Sequence, residues 1–96
     1  MRVEYHPAVE QEVAEALHRY DAVSQRLGQE FQEELRRVIA AAAAMPGKFH
    51  PTKPGFRRAN LKRFPYHFVY RELEDRIRVI LVRHHRRDPS LGTERT

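Results

Sequence analysis

FRRANLKRFPYHFVYRELEDRIRVILVRHH, from Phe56 to His85, decides the architecture, because along it apolar residues return at every second position. Ala59 and Leu61 alternate with Arg58, Asn60 and Lys62. In the last segment Ile77, Val79 and Leu81 form one face, while Ile80 and Val82 add apolar groups to the other. A strand that is apolar on both sides belongs in the middle of a sheet. Pro65 cannot donate to a ladder and marks a strand end or turn. Glu74-Asp75 is too polar to bury and short enough to close a hairpin. Strands are therefore predicted from Phe56 to Lys62, over 66–73 and over 76–84.

Upstream the period changes. Val3 and Tyr5 oppose Arg2, Glu4 and His6, the alternation of a short, half-buried strand. Val9, Val13, Leu17 and Tyr20, with Ala16 between them, then recur at helical spacing behind Pro7, which suits a first helical position. The stripe changes phase near Ser24, a residue able to cap a second helix with Leu27, Phe31, Leu35, Val38, Ile39 and Ala42 on its apolar side. The run Ala40–Ala44 suits a helix end lying close against a neighbour. Pro46 and Gly47 stop that helix, and the Pro- and Gly-rich segment from Lys48 to Phe56 reads as an exposed connection. The order β-α-α-β-β-β predicts an α+β domain in which a helical hairpin covers one face of a small, mainly antiparallel sheet. The other face is left for function.

The 96 residues leave room for one domain, 1–96, with 86–96 expected as a flexible tail. Cysteine is absent, which excludes disulfide frameworks and thiolate metal sites. MRVEYHPAVEQEV lacks the apolar core of a signal or membrane anchor, so a cytoplasmic protein is expected. Charge is split between the halves. Met1–Gly47 holds five Lys or Arg against eight Asp or Glu, net −3; Lys48–Thr96 holds thirteen against five, net +8, giving the total of +5. The second half therefore presents a positive field able to attract phosphate or an acidic protein segment.

The succession HPAVEQEVAEALHRYDAVSQRLGQEFQEEL, MPGKF, FRRANLKRFPYHFVYRE and IRVILVRHHRRDP resembles the RelE/ParE toxin superfamily of bacterial type II toxin–antitoxin systems, which includes plasmid stabilisation proteins. The resemblance runs from Val3 to about Pro89, and its most specific parts are Arg63-Phe64-Pro65-Tyr66 with Tyr70, and the stretch His84–Pro89. It implies a toxin restrained by a small antitoxin whose acidic C-terminal segment wraps it. Two kinds of target are implied. A branch similar to ParE binds DNA gyrase and traps it on broken DNA, which needs a rigid charged surface and no cofactor. A branch similar to RelE enters the ribosome and cuts mRNA, which needs a base for the 2′-hydroxyl, cations for the phosphate and an acid for the leaving oxygen.

For cleavage, Arg58, Lys62 and Arg83 are the candidate cations and His84 or His85 the proton carriers. The Tyr that such toxins carry near the C-terminus is missing, as is a carboxylate between Phe56 and Arg63, so the gyrase branch is placed first. Binding of target or antitoxin is assigned to Arg58, Arg63, Tyr70, Arg83, Arg86 and Arg87. Arg57 and Arg58 point to opposite faces, so only one of them lines the groove. The same alternation separates His84 from His85 and argues against a shared metal. Tyr70 has an alternative place in the core with its hydroxyl satisfied. A generic nucleic-acid-binding module, resting on charge alone, stands third.

Overall fold

A computed structural model describes residues 1–96. In chain order the elements are β1 (Arg2–Tyr5), α1 (Ala8–Asp21), α2 (Gln25–Ala44), a single 3-10 turn (Pro46–Lys48), β2 (His50–Lys53), β3 (Phe56–Asn60), β4 (Tyr66–Glu72) and β5 (Arg76–His84). The sheet order is β1-β5-β4-β3-β2. β1 runs parallel to β5, from which two helices and three strands separate it in the chain, and every other pair is antiparallel. The fold is α+β, with the helical hairpin on one sheet face, as the periodicities imply.

Local chemistry sets the helix boundaries. Ser24 Oγ accepts the Leu27 amide at 3.0 Å and caps α2, a contact that contributes about 1 kcal/mol. Pro7 lies one position earlier than expected, at the N-cap of α1, and His6 Nδ1 accepts the Ala8 amide there. Gly28 lets the helices meet: a Cβ at this position would fall 1.8 Å from a carboxylate oxygen of Asp21. In the alanine run, Ala42 and Ala43 are buried against the sheet, so their small size permits the close approach.

Between the layers lies an aromatic cluster. Phe31 is fully buried, with ring centroids 5.3 Å from both Phe64 and Tyr66 and 5.2 Å from Tyr20. Burying such a side chain contributes roughly 1.5–3 kcal/mol. The β3–β4 turn that carries Phe64 is held from α2, because Glu34, itself buried, accepts the backbone amides of Lys62 at 2.7 Å and Arg63 at 3.2 Å.

Two expectations are corrected. The segment read as an exposed connection is exposed but contains β2, which pairs antiparallel with β3 through His50↔Arg58 and Pro51↔Arg57. A proline fits there because β2 is the sheet edge, where an outward amide has no partner to lose; Gly55, with φ +85°, makes the turn. The second correction concerns β5. Val69 pairs with Leu81 and Tyr70 with Val79, so Ile80 is an inserted residue, a β-bulge. Ile77, Val79 and Val82 therefore share the helix-side core, and Leu81 joins Phe56, Val69 and Ile80 in a small second cluster on the other face.

β1 covers β5 only as far as Val79, whose carbonyl accepts the His6 amide. Beyond it, side chains close the edge. Glu12 accepts the Val82 amide at 3.0 Å, and Arg95 donates to the Ile80 carbonyl at 3.0 Å and to Glu12 at 2.8 Å.

Candidate functional site on the open sheet face

The open face takes alternate residues of the three central strands. Cross-strand register sets Arg58 of β3 opposite Val69, and Asn60 opposite His67, while His67 of β4 faces Arg83 of β5. Because the bulge at Ile80 reverses the alternation, Leu81 and Arg83 turn to this face and Val82 and His84 to the helices. The result is a chain of hydrogen bonds. Arg83 Nε donates to His67 Nε2 at 2.9 Å, His67 Nδ1 lies 2.9 Å from His85 Nδ1, and Arg58 reaches His85 Nδ1 at 3.5 Å. The two imidazoles meet edge to edge through this bond, with centroids 5.1 Å apart and planes 11° from parallel.

The direction of each bond follows from the donors. A guanidinium can only donate, so His67 Nε2 accepts and its proton is on Nδ1. That proton goes to His85 Nδ1, which leaves the His85 proton on Nε2. Both rings are held neutral. Burial, followed by the charges of Arg58 and Arg83, pushes His67 down to about 3, and burial and Arg58 lower His85 in the same sense. Arg83 is also lowered, by burial and then by Arg58. Two guanidiniums thus flank a neutral pair of rings, His67 buried and His85 open to solvent.

Several cations elsewhere on the surface are neutralised. Arg2, Arg57, Arg63, Arg76, Arg78 and Arg95 each make an ion pair with a carboxylate. Lys53, Arg58 and Arg83 make none; their partners are uncharged. Arg58 donates to Asn60 at 2.9 Å, Arg83 to the carbonyls of Pro89 at 3.0 Å and Leu91 at 2.8 Å, and Lys53 to the carbonyl of Thr93 at 3.0 Å. Residues 88–96 accordingly turn back along β5, with Gly92 against Leu81.

Of the residues singled out in the sequence, Arg58, Arg83 and His85 come together here. The others are placed apart. Lys62 is exposed in the β3–β4 turn, and Arg63 beside it is bound to Glu30 at 2.7 Å. His84 packs edge-on against Tyr66 on the helix side, and its Nδ1 accepts the Arg86 amide. Arg86 and Arg87 are exposed just past β5 and line, with Arg83, Arg19 and Glu12, a cleft of about 310 Å³. Tyr70 is fully buried and its hydroxyl donates to the Pro46 carbonyl; burial raises it to about 12. It offers a partner no surface. Arg57, on the helix side, donates to the Phe49 carbonyl at 2.8 Å and leaves Arg58 as the arginine of the open face.

His67 and Lys53 were not singled out. His67 does alternate with Tyr66 and Phe68, which marks it as outward-facing, but its role depends on the cross-strand partner Arg83. No cluster of three or more His, Asp or Glu side chains is arranged to hold a metal ion, and no helix is long and apolar enough to cross a membrane.

Among solved structures, one described as the chromosomal ParDE TA system from P. aeruginosa matches with a TM-score of 0.75 at 15% identity, covering 88% of this chain and 95% of the other. At that identity the match speaks for the fold alone. No curated protein matches the sequence. The family model of the ParE toxin of type II toxin–antitoxin systems, parDE, matches residues 3–89, nearly the whole of the folded unit. The chain therefore belongs to the ParE toxin family of type II toxin–antitoxin systems.

Proposed function

We propose that this toxin arrests growth by poisoning DNA gyrase in the cytoplasm and is restrained by a cognate antitoxin whose acidic C-terminal segment lies on its basic surface. Family membership supports a toxin with an antitoxin partner. The observation that carries the gyrase reading is the state of the cations at the end of β5: Arg83, Arg86 and Arg87 have no carboxylate partner and sit on or next to the most firmly paired strand of the sheet. Such a surface recognises an acidic or phosphate-bearing target by complementarity and needs no proton transfer.

A second reading, ribosome-dependent cleavage of mRNA, is favoured by the cluster of Arg58, Arg83, His67 and His85. His85 could accept the 2′-hydroxyl proton only at Nδ1, once that nitrogen is released from His67, and two guanidiniums could stabilise the phosphate. The cluster lacks an acid for the leaving oxygen, because His67, pushed down to about 3, holds no second proton near neutrality, and His84 is on the opposite face. Gyrase poisoning therefore stands first.

Induction of the protein separates the two. The expected outcome is a DNA-damage response with gyrase covalently trapped on cleaved DNA, lost when Arg86 and Arg87 are both replaced by Glu. The gyrase reading is abandoned if induction gives ribosome-dependent cuts in mRNA, slowed on the order of 10² to 10⁴ by His85→Gln, with no trapped gyrase.

A further inference from the structure

The groove between β2 and the returning C-terminal residues has a volume of about 260 Å³ and is floored by Val69, Ile80 and Leu81, with Lys53, Arg58 and Arg83 on its rim. We propose that this groove binds a phosphodiester of single-stranded nucleic acid, and that residues Pro89–Thr93 keep it closed by occupying the donors the phosphate would take.

The cations are the first ground. Lys53 and Arg83 spend their hydrogen bonds on three backbone carbonyls of the returning segment, those of Pro89, Leu91 and Thr93. Carbonyls are neutral acceptors, and a charged oxygen makes roughly twice as strong a bond to the same donors. Arg58 and Arg83 also lower the proton affinity of His67, and Arg58 that of His85, while Glu12 and Asp88 offset the charge of Arg83 only in part. A bound anion relieves the repulsion that remains.

The shape of the donor set points to phosphate. Lys53, Arg58 and Arg83 come from β2, β3 and β5, so their donors reach the groove from three strands. A tetrahedral oxyanion with oxygens on every side uses such a set more fully than a planar carboxylate does. Beside the apolar floor, exposed His85, held in place by its bond to His67, can support an unstacked base. Duplex bases are already stacked, which makes the single strand the matching ligand.

The closing segment has a specific weak point. Gly92 has φ +82°, and a Cβ there would meet Leu81 Cδ2 at 2.9 Å, so Gly92→Ala should lift the segment while leaving every cation in place. Arg95→Gln releases it independently by removing the anchors on Glu12 and the Ile80 carbonyl.

The full chain, without gyrase or antitoxin, is titrated against fluorescent oligothymidylate and oligouridylate at several salt concentrations, with circular dichroism verifying the fold of each variant. Gly92→Ala and Arg95→Gln are expected to tighten binding roughly tenfold, the loss of a few competing hydrogen bonds. Arg58→Gln and Arg83→Gln are each expected to weaken it on the order of tenfold and to reduce the salt slope by about one. Tighter binding of one oligonucleotide identifies the source of the phosphodiester as DNA or RNA. The proposal is overturned if the Arg variants bind as the parent does, if neither release variant gains affinity, or if a Glu-rich peptide of equal charge binds more tightly than both oligonucleotides. Since gyrase trapping is not measured here, any of these outcomes leaves the gyrase reading to its own test.

Discussion

Acidification should destabilise this fold through His67 well before any carboxylate is protonated. The ring is buried, faces Arg83 and His85 on the β5 side and Arg58 from β3, and is pushed from its ordinary 6.5 down to about 3. The folded chain therefore refuses a proton that the unfolded chain accepts. With a depressed folded value, the stabilisation is fully present above pH 6.5 and is lost as pH falls towards about 3. Each unit is worth about 1.4 kcal/mol, so between pH 8 and pH 5 His67 alone should remove roughly 2 kcal/mol, a large part of a small domain's stability. Glu4, Glu30, Asp75 and Asp88, all lowered by their hydrogen-bond partners, respond only at more acid pH, which leaves this window to histidine. The control is His67→Gln, whose amide can accept from Arg83 and donate to His85 without titrating. Urea denaturation at pH 8 and pH 5 should show the parent losing roughly 2 kcal/mol more than the variant. Equal losses in the two proteins would refute a neutral, buried His67.

Glu34→Ala strips the partners from the Lys62 and Arg63 amides in a partly buried turn and should lower stability by roughly 2–4 kcal/mol in the same assay; a loss under about 0.5 kcal/mol would show that the turn holds itself. Co-expression with the cognate antitoxin should yield a complex whose melting temperature exceeds that of free toxin at matched concentration, since a partner that binds only the folded state stabilises it. An unchanged melting temperature would count against a partner on the basic surface, and reversing Arg58 and Arg83 to Glu should reduce the gain.

The helices were legible because their apolar spacing and caps are local. Val9, Val13 and Ala16, then Phe31, Leu35 and Ile39, lie on the faces their spacing predicts, and Ser24 caps where its side chain allows. β2 was not legible, because an edge strand buries no side chain and leaves no alternation to read; His50, Pro51, Thr52 and Lys53 are all exposed. The two faces of β5 were misassigned for the opposite reason. With Val79, Ile80, Leu81 and Val82 all apolar, an insertion leaves the pattern unchanged, and only the pairing with Val69 and Tyr70 locates it. The site was half legible for the same reason: charge drew Arg58 and Arg83 out of the sequence, while His67 acquires its meaning from a neighbour sixteen positions away.

The extra residue at Ile80 also acts as a parity switch. Before it, odd-numbered positions of β5 look towards the helices; after it, even-numbered ones do. Deleting one residue between Val79 and Val82 would take up the bulge and keep Arg83 on the open face, whereas a regular strand of unchanged length would drive Arg83 into the aromatic core and bring Val82 and His84 outside. A chain of the same architecture without the insertion, aligned to this one residue by residue, would match side chains that face opposite ways beyond this point. Functional residues at the end of β5 must therefore be compared by the face they occupy, since equal spacing along the strand carries opposite meanings on the two sides of one inserted isoleucine.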